Sequence, residues 1–107
     1  ADIAASRARG VLGHGQITEA TSELPGLQAE TWKLPFNGMS PAELAIAGNG
    51  ASNLDLVVTD EWGNVVCVEA GPEDRAYCAF TPEYNGFFLA SVTNRGEATN
   101  RYRLMTN

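Results

Sequence analysis

Leu54, Leu56 and Val58 alternate with Asp55, Val57 and Thr59, the two-residue period of a strand with one buried face. Asp60-Glu61-Trp62-Gly63-Asn64 then reverses the chain. Gly63 supplies a positive φ, and the side chains of Asp60 and Asn64 can hydrogen-bond nearby backbone. Val65, Val66 and Val68 resume the strand, so 54–68 reads as a hairpin. The same alternation recurs along the chain. Over 30–36, Trp32, Leu34 and Phe36 share a face opposite Thr31 and Lys33, and over 43–47 Leu44 and Ile46 point inward. A strand-like run covers 75–80. Phe88, Ala90 and Val92 face in over 87–93, as do Tyr102 and Leu104 over 101–106, with Arg101 and Arg103 outward. Turn signals separate these runs: Pro25-Gly26, Asn37-Gly38, the Gly-rich 47–53, Gly71-Pro72, Thr81-Pro82 and Asn94-Arg95-Gly96. Seven to eight short strands with turns about every 8–12 residues predict an all-β fold, an antiparallel, jelly-roll-like β-sandwich. Trp32, Phe36, Phe80 and Phe88 are its expected aromatic core.

Residues 1–14 stand apart as an N-terminal extension. Ala1 to Arg9 reads as a short helix or a frayed end, and the three glycines of 10–17 lead into a first strand. The sandwich domain is then 15–107, one domain. A formal net charge of −6 argues against nucleic acid and against an anionic membrane surface as partners. It is compatible with calcium, which takes several oxygen ligands. No apolar run approaches the ~18–20 residues that span a bilayer. Ala1 to Arg9 has no apolar signal-peptide region, so either a signal has been removed or the chain is cytoplasmic.

The two cysteines bear on that choice. Cys67 lies on the second strand of the hairpin, Cys78 on the next run, and 70–74 between them is turn chemistry. Strands pairing symmetrically about that turn would set the cysteines opposite each other, near disulfide range. The alternative is two reduced thiols packed as small hydrophobes. An even count at pairable positions favours the disulfide, and hence an oxidising compartment, secreted or periplasmic.

Four motifs in order carry a resemblance. They are Asn53-Leu54-Asp55-Leu56, Asp60-Glu61-Trp62-Gly63-Asn64, Thr81-Pro82-Glu83-Tyr84-Asn85-Gly86-Phe87-Phe88 and Tyr102-Arg103-Leu104, with Glu30-Thr31-Trp32-Lys33-Leu34 upstream. Over roughly 15–106 the chain resembles the bacterial pre-peptidase C-terminal domain, a small jelly-roll sandwich related to the collagen-binding domains of clostridial collagenases. It departs from that family at Asn53, where the family has Asp, and in carrying a cysteine pair. The resemblance implies a non-catalytic module accompanying a secreted hydrolase. It also implies that calcium, collagen or polysaccharide binding is open to it.

Asn53, Asp55, Asp60 and Asn64 offer oxygen ligands for calcium, with Glu69, Glu73 and Asp74 nearby in sequence. Asp55 and Asp60 are about 17 Å apart along an extended strand, so they cannot share one ion unless the strand bends sharply. Asn53 and Asp55 with a neighbouring loop are the candidate metal ligands; the alternative is that all these residues serve turns and solubility. Trp62 at the hairpin tip and Tyr84 in a turn are the candidate binding residues; the alternative for Trp62 is a tip folded over a sheet face. His14, the single histidine, has no partner at zinc-ligand spacing, and no nucleophile motif supports catalysis. The sequence thus predicts a non-enzymatic secreted or periplasmic module whose partner is a protein or a polysaccharide. The competing readings are a calcium-dependent recognition domain, a protease inhibitor, and a self-assembly unit using residues 1–9.

Overall fold

The computed structural model describes residues 18–107. The expectations for Ala1 to Arg9, for the glycine-rich 10–17 and for His14 fall outside those residues. Eight strands follow: β1 (Thr18–Leu24), β2 (Ala29–Phe36), β3 (Ala42–Ala47), β4 (Leu54–Asp60), β5 (Val65–Glu69), β6 (Arg75–Phe80), β7 (Gly86–Asn94) and β8 (Asn100–Thr106). They form two four-stranded sheets, ordered β1-β8-β3-β6 and β2-β7-β4-β5, and every pairing is antiparallel. This is the jelly-roll pattern, in which 1–8 and 3–6 pair in one sheet and 2–7 and 4–5 in the other.

The periodicity places the core. Trp32, Leu34 and Phe36 of β2, Leu44 and Ile46 of β3, and Leu54, Leu56 and Val58 of β4 are all buried. So are Phe88, Ala90 and Val92 of β7 and Tyr102 and Leu104 of β8. Phe80 is only partly buried, because it sits at the end of β6, yet it closes a cluster with Phe36 and Phe88 at ring separations of 5.7 and 4.9 Å. The 54–68 hairpin is present, with a shift of register between Val58 and Thr59.

Among the described strands β4–β5 is the only sequence-adjacent pair that shares a sheet; every other connection between them passes from one sheet to the other. That corrects one expectation. Cys67 and Cys78 are joined, with Cα atoms 6.0 Å apart, but not as partners in a hairpin. β5 is the edge of one sheet and β6 the edge of the other, and the disulfide ties those two edges. The turn at 70–74 carries the chain across the sandwich rather than back along the same sheet.

Candidate functional site

The register gathers the β2–β3, β4–β5 and β6–β7 turns at one end of the sandwich and the remaining four at the other. The second end is closed by side-chain amides. Asn94 and Asn100, flanking the β7–β8 turn, are fully buried. Asn94 Nδ2 donates to the carbonyls of Leu24 and Ala98, and its oxygen accepts from the Gly96 amide. Asn100 Nδ2 donates to Ser52 O and to Asp74 Oδ2, while its oxygen accepts from the Asn49 amide. Asp74 also receives the Gly50 amide at 2.6 Å. Buried polar groups are expected to be paired, and here each asparagine pairs with the backbone of the loops around it, Asn100 also with Asp74. Their chemistry is consumed in holding the loops.

Between the sheets the indole of Trp32 donates to Tyr102 Oη at 2.7 Å, and the Tyr102 hydroxyl donates to Glu30. The two rings meet edge to face at 6.5 Å. Burial, followed by the hydrogen bond to Glu30, pushes the Tyr102 phenol far above its ordinary range.

The first end is open. Asp60 builds the tight turn: its carboxylate accepts from the backbone amides of Trp62 and Asn64 and from the Asn64 side chain, each at 2.9 Å. The Asn64 side chain, with the backbone amides behind it, holds the Asp60 carboxyl below the usual carboxylate range. Gly63 takes a φ of 87°, which its sequence position required. With Asp60 and Asn64 committed to each other, Glu61 and Trp62 are the residues the turn presents.

On the neighbouring β6–β7 turn, Asn85 Oδ1 accepts from the Gly38 amide, and Pro82 O accepts from the Met39 amide. A Cβ on Gly38 would lie 2.5 Å from the Tyr84 carbonyl carbon, so a glycine is needed for these two turns to close on each other. Trp62 is 71% and Tyr84 69% exposed, and neither ring stacks on another. The tip therefore does not fold over a sheet face. Between them opens a cleft of about 370 Å³ lined by Glu61, Glu83, Pro82, Phe80, Phe87 and Phe88 among others. The Glu61 carboxylate hangs over Gly86, where a Cβ would meet it at 2.7 Å.

Trp62 and Tyr84 are thus brought to one site, whereas Asn53 and Asp55 lie elsewhere. Asp55, facing outward on β4, has Arg95 Nη1 at 3.7 Å, and the Arg95 amide donates to Asn53 O. The β7–β8 loop brings the Arg95 cation to Asp55, while Glu73 and Asp74 of the β5–β6 turn share a cleft with Asn53. Among the described residues no three His, Cys, Asp or Glu side chains converge. Glu61, Glu83 and Met39 escaped the sequence reading of this end. Met39 is exposed beside the same turns with a φ of 61°, and the Asn37-Gly38 turn was the only signal for it.

An antiparallel two-sheet jelly roll with a cleft formed by its turns defines a class of small β-sandwich modules, and solved structures of that class match this one. One is the pre-peptidase C-terminal domain of a collagenase from Bacillus anthracis. The TM-score is 0.71 at 12% identity, covering 84% of this chain and 88% of that one. Another is a periplasmic lysozyme inhibitor of g-type lysozyme from Aeromonas hydrophila, with a TM-score of 0.60 at 13% identity, covering 85% and 84%. The family that the sequence motifs resemble is therefore represented among the structures sharing this fold. No protein-family model matches the chain, and no curated protein matches it by sequence.

Proposed function

We propose that the chain is a non-catalytic binding module that works outside the cytoplasm, and that it meets a macromolecular partner with the end that carries Trp62 and Tyr84. The observation that carries this reading is the pair of large rings held out on two turns that are themselves rigidly built. An exposed tryptophan costs solubility unless it is used, and aromatic side chains dominate the energy of recognition surfaces. The disulfide supports an oxidising compartment. The two structural neighbours support a module that serves or restrains a hydrolase. One belongs to a collagenase and the other inhibits a lysozyme.

The test is a binding panel of gelatin, chitin, cellulose and peptidoglycan, with soluble peptidases and lysozymes beside them. The native protein is expected to be retained by at least one member. Trp62→Ala and Tyr84→Ala should lower that retention about tenfold or more while leaving the melting temperature unchanged, as hot-spot truncations do. Retention that is indifferent to both substitutions places the interface elsewhere and ends this reading.

A further inference from the structure

The charge around the cleft is one-sided. Asp60, Glu61 and Glu83 stand on its two turns, and no lysine or arginine lines it. Asp60 spends its oxygens on three donors within its own turn, but Glu61 and Glu83 have neither an ion pair nor a hydrogen bond among the described residues. The cations of the fold are spent elsewhere. Arg103 pairs with Glu19 on one sheet and Arg95 with Asp55 at the far end. Arg75 and Arg101 project from β6 and β8. Lys33 shows what the local chemistry accepts: its ammonium sits 4.3 Å above the centre of the Phe87 ring, one of the cleft residues.

Two free carboxylates beside two exposed ring faces match a positive charge from both sides, by Coulomb attraction and by the ring quadrupole. A neutral sugar would stack on the rings and donate hydroxyls to the carboxylates, but would leave their negative charge unbalanced. An acidic partner would be repelled.

We propose that the cleft between Trp62 and Tyr84 receives a lysine or arginine side chain from a basic surface of a partner protein, with Glu61 and Glu83 as counter-charges. This deepens the reading above and rests on it, since it names the chemistry of the partner at that same end. Electrostatic complementarity of this kind chiefly speeds encounter and selects among partners.

The experiment titrates the whole protein with acetyl-hexalysine-amide and, separately, with chitohexaose, following tryptophan fluorescence at low and at physiological salt. Trp32 is buried, so a ligand-induced change reports Trp62. The expected result is saturable binding of hexalysine that weakens with salt. Glu61→Gln with Glu83→Gln should weaken it by about three- to tenfold, as the loss of modest cation contacts predicts. Glu73→Gln with Glu97→Gln, which removes the same charge from the opposite end, should change it by less than about twofold, because exposed charges beyond a Debye length are screened. Equal weakening by the two pairs would mean that net charge alone attracts the peptide, and the proposal falls. It falls too if neither probe binds. If chitohexaose binds and hexalysine does not, the aromatic end keeps its role and only the cationic partner is lost.

Discussion

Tyr102 joins the two sheets through a single oxygen. It accepts from the Trp32 indole and donates to Glu30, and its ring fills the core against Trp32. Tyr102→Phe keeps the ring and removes the oxygen, leaving a buried indole N–H without an acceptor. Stranding a buried polar group costs about 1–3 kcal/mol. Urea unfolding of the variant should show a loss of that size with an unchanged slope; a midpoint equal to the native one would mean that water serves the indole as well as the phenol does. Trp62 is the opposite case. It is anchored by its backbone amide on Asp60 and not by its ring, which is why its replacement is expected to touch binding and not folding. The two tryptophans of this chain illustrate that position in the alternation, and not residue type, separates a core ring from an offered one.

At the level of strands, the disulfide ties β5 to β6 across the sandwich. β5 needs such a tie, since most of its residues are exposed and only Cys67 reaches toward the core. The bond closes a loop of 12 residues, counted from Cys67 to Cys78 inclusive, which by loop entropy is worth about 3 kcal/mol. Replacing both cysteines with serine should lower stability by about that much. Limited proteolysis should then cut first in 61–75, whereas cutting elsewhere would show that β5 holds without its bond. How far the sequence could be read is clear from the same strands. Strands β2, β4, β7 and β8 were legible because one face is buried and the other is not, so the polarity of successive residues tracks the pleat. The Cys67–Cys78 pairing was legible for a weaker reason, proximity across a turn, and the geometry inferred from it was wrong. Whether a turn returns along its sheet or crosses to the other depends on all eight strands, and nothing local in 70–74 records it. Asn94 gave only a turn signal and Asn100 no signal at all, for a similar reason: asparagine looks the same whether its amide faces water or closes one end of a sandwich. At the open end Trp62 and Tyr84 stood out as bulky rings in turns, but their being neighbours, with Glu61 and Glu83 between, is again a product of the roll.

For the molecule as a whole, the shifted phenol makes a statement about alkaline pH. The folded state holds the Tyr102 proton above the range where the unfolded chain releases it, at about pH 10. Below that range both states are protonated and the contribution is intact. Above it the unfolded chain binds fewer protons than the native one, so stability falls as pH rises. Tyr77, raised by its hydrogen bond to Glu43, moves in the same direction, though from the surface. Phenolate absorbance and circular dichroism recorded together should show the last of the three tyrosines ionising only as the sheet signal is lost; complete ionisation of a still-folded protein would contradict this. The two long margins of the sandwich are also unlike. Along β5 and β6 they are closed by sulfur; along β1 and β2 they are held by hydrogen bonds, from the Trp32 indole to Tyr102 of β8 and from Asn94 to Leu24 of β1, and by the short turn at 25–28. A body bound on one side and clasped on the other does not loosen evenly. Its sheets are expected to part as the covers of a book do, swinging on the sulfur-bound side, so that amide exchange beside Trp32 precedes exchange beside Cys78.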